Sequence, residues 1–305
     1  MEDKIGLILN KQLILTTGLT GLIGSRINEL LSPDYNFINF PHRPQLGIEN
    51  KEKVFSFLSK YPQAKTVLHL AAFTDVQSAW KENGDKRGKC YQINVLGTKN
   101  IAQACKNLRK HLIYFSTDYI FDGQKSGAHT EKDQPKPIDW YGRTKYLGEV
   151  AILKSSASST ILRIAYPFRS SFKGKKDVVR KIIEALEKES LHPMFCDQIT
   201  TPTLIDDIAL ALPKIIRKKP IGVYHFVGSS FQSPYKMAKI IAKIFGFKPH
   251  LVKKGSLAEY RKKQTSGSFP WHQNLALSNK KIKTALKLQI RTLEESILEV
   301  KNQLS

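Results

Sequence analysis

Apolar positions along the chain fall into two patterns. Short, nearly continuous apolar runs recur at residues 13–16, 37–40, 66–70, 112–115, 160–164 and 223–227, the lengths expected of strands. Because they do not alternate with polar residues, they fit strands buried on both faces, as in a parallel sheet covered by helices. Between them, residues 21–31, 51–60, 93–108 and 141–153 carry apolar side chains at helical spacing. This β-α-β-α order predicts an α/β fold of the doubly wound, parallel-sheet (Rossmann) kind.

Beyond residue 165 the pattern loosens. Helices are expected over 178–189, 205–216 and 235–245, and a last one over 292–304, with polar, glycine-containing stretches around them. Residues 1–165 are therefore read as a dinucleotide-binding domain and 166–305 as a smaller, partly interleaved substrate lobe whose late strands return to the sheet. A length of 305 residues allows one large core or two smaller ones.

The first apolar run leads directly into Thr17-Gly18-Leu19-Thr20-Gly21-Leu22-Ile23-Gly24. A glycine triplet between a first strand and a first helix points to a dinucleotide-phosphate loop: Gly18 for the tight turn, Gly21 for approach of backbone to the pyrophosphate, Gly24 for close packing of helix on strand. Thr20, Leu22 and Ile23 fall within the same loop. At the end of the second strand, where an acidic side chain favours NAD, the chain reads Phe40-Pro41-His42-Arg43, with no carboxylate before Glu49. Arg43 offers a planar fork for a 2′-phosphate, so NADP(H) is the expected cofactor, with NAD(H) the alternative.

Farther on, Ser116-Thr117-Asp118 ends the fourth strand and Tyr141-Gly142-Arg143-Thr144-Lys145 opens a helix. Four residues make about one turn, placing Tyr141 and Lys145 on one helix face. An ammonium there is expected to lower the pKa of the phenol from its usual value of about 10 and to bond the nicotinamide ribose. Thr117 then holds a substrate carbonyl while Tyr141 exchanges the proton. His69, inside an apolar run, reads as a packed residue, and Trp80, Trp140 and Trp271 as core or pocket wall.

The strings His69-Leu70-Ala71-Ala72, Asn94-Val95-Leu96-Gly97-Thr98 and Ser116-Thr117-Asp118-Tyr119-Ile120-Phe121-Asp122-Gly123 resemble the extended short-chain dehydrogenase/reductases, and within them the dTDP-4-dehydrorhamnose reductase group. The resemblance implies a catalytic triad of Thr117, Tyr141 and Lys145, a cofactor lined by Ala71, Ala72 and Phe73, and substrate contacts from Thr74, Thr117, Asp118 and Tyr166. The implied substrate is a nucleotide-activated 4-keto-6-deoxy sugar. Sugar-nucleotide dehydratases carry an Asp-Glu pair after this Thr, whereas Asp118 is followed by Tyr119. Residues 197–203 are similar to the reductase signature DQxGxPT, with Thr200 in place of its glycine, and Tyr166 stands where many such reductases have tryptophan. A cofactor-retaining epimerase and a non-catalytic regulator like the β subunit of methionine adenosyltransferase share much of this pattern and stay as alternatives.

Bulk properties add little to this picture. The net charge is +23, but lysines are spread over almost every segment, with short clusters at 173–176, 217–219 and 280–283, and no nucleic-acid module accompanies them. A solvated basic surface is expected, with neither nucleic acid nor membrane as partner, though a positive field favours encounter with phosphate-bearing ligands. Cys90, Cys105 and Cys196 lack metal-ligand spacing, so no metal is expected. No apolar run approaches the roughly 20 residues of a membrane span, and Met1-Glu2-Asp3-Lys4 does not open a secretory signal, so a cytoplasmic protein, monomer or homodimer, is expected.

The cofactor reading makes a measurable claim for Arg43. Its contact with a 2′-phosphate contributes about 1–3 kcal/mol, or roughly 5- to 150-fold in affinity. Calorimetric titration of Arg43→Ala should show that loss for NADPH and nearly none for NADH. Equal losses for both would make Arg43 a structural residue.

Overall fold

The computed structural model describes residues 11–41, 47–265 and 267–305, so Arg43 and the residues up to Asn10 lie outside the described residues. A six-stranded sheet forms the centre, all parallel, from β1 (Gln12–Thr17), β2 (Tyr35–Asn39), β3 (Thr66–His69), β4 (His111–Thr117), β5 (Ser159–Ile164) and β6 (Gly222–His225), in the order β2-β1-β3-β4-β5-β6. β3, β4 and β5 are buried along their whole length, which is why their sequences run apolar without alternation.

Adjacent residues on each strand feed opposite cores, as a two-residue period requires. Ile14, Leu68, Ile113 and Leu162 face one side, packing on Ile27 and Leu31 of α1 (Leu22–Leu31) and on Ile208, Leu212 and Ile215 of α6 (Ile205–Lys218). Leu15, Val67, Leu112 and Ile161 face the other. There they meet Val54 and Leu58 of α2 (Lys51–Ser59), Ile101 and Cys105 of α3 (Thr98–Asn107), and Ile152 of α4 (Trp140–Ser155).

A third core, around Phe168, lies outside the sheet. It joins Ile182 and Leu186 of α5 (Val178–Glu187), Met237 and Ile241 of α7 (Pro234–Phe245), and Ile297 and Val300 of α8 (Leu293–Leu304). Arg26 on α1 forks onto Asp206 of α6 through Nε (2.8 Å) and Nη2 (2.7 Å), and Gln303 on α8 donates to the same carboxylate at 2.8 Å. Charge-assisted bonds of this kind fix orientation as well as distance. Thr200 is exchanged into a β-bridge with Gln232, two backbone bonds of 2.9 Å each, a conformation that needs no glycine.

One expected helix is divided. Residues 93–108 do not form a single α-helix: a π-helical turn over Gln92–Gly97 precedes α3. The widened turn accompanies a carboxamide clamp. Asn94 accepts from the Phe73 N–H (2.8 Å) and donates to the Phe73 carbonyl (3.1 Å) and to Thr144 Oγ1 (3.1 Å). Such turns recur at functional sites.

Burial makes the fold sensitive to acid. It pushes the imidazoles of His69, His111, His225 and His272 down to about 3, 4, 3 and 4. The unfolded chain takes up these protons near pH 6.5 and the folded chain resists, so the stability present above that pH is lost as the pH falls, on the order of 2 kcal/mol per histidine at pH 5. Asp118 and Asp139, raised to about 7 and about 6, act in the opposite sense, two groups against four. Urea unfolding at pH 7.5 and pH 5 should show a lower midpoint at pH 5; an equal or higher one contradicts this assignment.

Candidate active site

In a parallel sheet the chain leaves every strand at the same edge. Here β1 connects outward to β2, and β3 then returns to the other side of β1, so a crevice opens at that edge. A cleft of about 1230 Å³ occupies it. Of the residues expected in the site, it is lined by Gly18, Thr20, Gly21, Leu22, Ile23, Gly24, Ala71, Ala72, Thr74, Thr117, Asp118, Tyr141, Lys145 and Tyr166. Phe73 is not brought to the lining. Its backbone is held by Asn94 and its ring packs beside Ala79, Cys90 and Trp140. None of Trp80, Trp140 and Trp271 lines the cleft either.

The floor of the crevice is backbone against backbone. Gly18 has φ +74°, and a Cβ there would lie 2.5 Å from Ala71 N, so both conformation and space demand glycine. Thr17 Oγ1 accepts from Ala71 N–H at 3.3 Å and sits 2.6 Å from His69 Nδ1, while His69 Nε2 is 3.1 Å from Thr98 Oγ1. His69 is thus a packed residue with both nitrogens engaged. The next helix carries no side-chain cap: Gly21 is the N-cap of α1, which like α3 and α6 is uncapped, whereas α2, α4, α5, α7 and α8 are capped by Asn50, Asp139, Asp177, Ser233 and Thr292. Its first N–H groups are left toward the cleft, a setting suited to phosphate.

Opposite this cradle stands the first turn of α4. Asp139 accepts from Gly142 N–H at 2.9 Å, and a Cβ on Gly142 would come within 2.1 Å of Tyr119 O. The missing side chain lets Tyr141 close on the end of β4. Lys145 is buried, donates to Phe115 O at 2.7 Å and lies 4.2 Å from the centre of the Tyr114 ring. Glu149, one turn farther, is committed to Arg163, with bonds of 3.0 and 2.7 Å. Among the described residues no carboxylate forms an ion pair with Lys145, and burial pulls its pKa down to about 7.

The expected effect of Lys145 on Tyr141 is not found. Burial raises the pKa of the Tyr141 phenol, and the Thr117 hydroxyl only partly counters this. The ammonium is turned to Phe115 O instead, and desolvation opposes the phenolate. Tyr119 and Tyr166 are raised for the same reason. Tyr166 also has φ +42°, a costly conformation for a side chain of this size, at the point where the chain leaves β5.

Sequence reasoning overlooked several of these residues. Asn94 appeared only as part of a string, and its clamp joins segments far apart in sequence. Asn39 lies at the end of β2, where its Oδ1 accepts from Leu19 N–H (3.2 Å) and Thr16 Oγ1 (3.1 Å). Arg87, Lys89 and Gln92 also line the cleft, and they had no sequence signal beyond their charge or polarity.

Comparison with known proteins gives this geometry a family. A family profile described as "RmlD substrate binding domain" matches residues 12–305. The chain is 31% identical over 235 residues to a dTDP-4-dehydrorhamnose reductase of Aggregatibacter actinomycetemcomitans, covering 74% of this chain and 76% of that protein. It is 27% identical to methionine adenosyltransferase 2 subunit beta of Rattus norvegicus, covering 80% and 75%. The crystal structure of dTDP-4-dehydrorhamnose reductase from Bacillus anthracis in complex with NADP superimposes with a TM-score of 0.84 at 26% identity, over 96% of this chain and 100% of that one. With its parallel sheet, its glycine cradle, and Tyr141 and Lys145 one turn apart on α4, the chain belongs to the RmlD substrate binding domain family and is an extended short-chain dehydrogenase/reductase of the dTDP-4-dehydrorhamnose reductase-like kind.

Proposed function

We propose that the protein is an NADP(H)-dependent reductase of a nucleotide-activated 4-keto-6-deoxy sugar. The observation that carries this reading is that Tyr141 stands in the same cleft as Thr117 and the glycine cradle. A phenol that holds its proton is suited to protonate an alkoxide formed in a reduction. An epimerase with the same residues would regenerate its bound cofactor in each cycle and consume no free NADPH.

The residues present fit a dinucleotide. Gly18, Thr20, Gly21, Leu22, Ile23 and Gly24 would hold the pyrophosphate at the uncapped start of α1, with Ala71 and Ala72 beside them and Lys145 at the nicotinamide ribose; Arg43 is assigned the 2′-phosphate. When bound, the reduced cofactor supplies a hydride. Thr117 orients the substrate carbonyl and Tyr141 releases its proton to the carbonyl oxygen, while Thr74, Asp118 and Tyr166 contact the sugar. The likeness to a methionine adenosyltransferase β subunit favours a second reading, a cofactor-binding regulator without turnover.

Two variants test the chemistry. With NADPH and a dTDP-4-keto-6-deoxyhexose, Tyr141→Phe should lower turnover by about 10²-fold or more while leaving NADPH affinity largely intact. Near-normal turnover of the variant contradicts the proton-donor role, and an inactive wild type that still binds NADPH favours the regulator. For Lys145 the working form is the ammonium, which is populated below about pH 7 and lost above it. Wild-type kcat/KM should fall as pH rises through that value, and Lys145→Met should weaken cofactor binding and remove that limb. An unchanged profile and affinity would exclude the assigned role.

A further inference from the structure

Thr117 can serve a substrate carbonyl only if its single proton is available, since a carbonyl oxygen accepts and does not donate. The hydroxyl has two bonded neighbours to reconcile. Tyr119 N–H donates to Thr117 Oγ1 at 3.3 Å, and Asp118 Oδ1 lies 2.9 Å from the same oxygen. If Asp118 is ionised, the Thr117 proton must go to it, and only lone pairs remain for the substrate. If Asp118 carries the proton, the two lone pairs of Thr117 take the Tyr119 N–H and the carboxyl O–H, and the hydroxyl proton is free.

The surroundings favour the second arrangement. Asp118 is 2% exposed, and its Oδ2 has no hydrogen-bond partner. Among the described residues no cation pairs with it. The titratable groups that face it are acids: Tyr119 beside it, Asp139 and Tyr141 from α4, and Tyr166 after β5. Lys145 is engaged at Phe115 O, and His272, 4.8 Å from the Tyr119 ring, is held neutral by burial, its pKa pushed down to about 4. An unpaired buried carboxylate is costly, and proteins commonly avoid that cost by protonation. Burial accordingly moves Asp118 up to about 7.

We propose that Asp118 is a positioning residue that holds a proton and donates it to Thr117 Oγ1, leaving the Thr117 hydroxyl proton directed at the substrate carbonyl. The inference rests on the reductase reading given above. Asp118 and Thr117 keep their protons throughout, and the proton consumed by reduction comes from Tyr141.

Difference infrared spectroscopy of wild type against Asp118→Asn at pH 6 reads the proton directly. The Asp139 contribution cancels in the difference, which should carry a protonated-carboxyl C=O band from wild type, and a difference without that band overturns the proposal. Kinetics supply the link to Thr117. An Asn amide also donates to Oγ1, so Asp118→Asn should turn over on the order of 10-fold faster than Asp118→Ala. On a Thr117→Val background, Asp118→Ala should cost little more. Equal damage from Asn and Ala, or full additivity with Thr117→Val, contradicts the role; NADPH binding by each variant establishes that it is folded. The infrared band needs no substrate, so a band without sugar reduction would reject the reductase reading and leave the proton on Asp118.

Discussion

The contact between Gly18 and Ala71 sets the rest of the structure. It joins the ends of β1 and β3 where the strand order reverses, with no room for a Cβ. Any side chain at residue 18 would push these strand ends apart and fill the crevice that the fold creates. The wall beyond Ala71 is then held by one carboxamide. Asn94 bonds both backbone groups of Phe73 and also Thr144, the residue before Lys145. The cradle side of the cleft and the face of α4 are therefore positioned through a common, buried side chain, and the π-helical turn of Gln92–Gly97 is where the main chain accommodates it.

Electrostatics in the cleft follow from desolvation more than from pairing. Asp118, Asp139, Tyr119, Tyr141 and Tyr166 all bind their protons more tightly than in water, and Lys145 binds its own less tightly. Each shift favours the neutral form, as burial demands. The site thus keeps its acids protonated and its buried cation weakened.

Much of this was legible in the sequence, and the parts that were not share a cause. The strands could be read because both faces are buried, and the glycine cradle because its residues are contiguous. Tyr141 and Lys145 could be paired because a helix turn is local. The direction of the Tyr141 shift could not be read, because it depends on how the fold desolvates the phenol and on Lys145 choosing Phe115 O over it. Phe73 was expected at the cofactor but turns away, since its backbone is claimed by Asn94, more than twenty positions along the chain. Thr200 looked anomalous against a glycine signature, yet its backbone is that of a β-bridge with Gln232. Spacing reports what one element presents; it does not report which distant group has already taken a donor or an acceptor.

The central claim, a reduction in which the cofactor's hydride reaches the sugar while this chain supplies the proton, is tested most directly by isotope transfer. With NADPH carrying deuterium on the transferable position of the nicotinamide and a dTDP-4-keto-6-deoxyhexose as acceptor, the product should hold one deuterium at C4 for each NADPH consumed. Product lacking the label, formed without loss of NADPH, or no product at all from cofactor-bound protein, would contradict it.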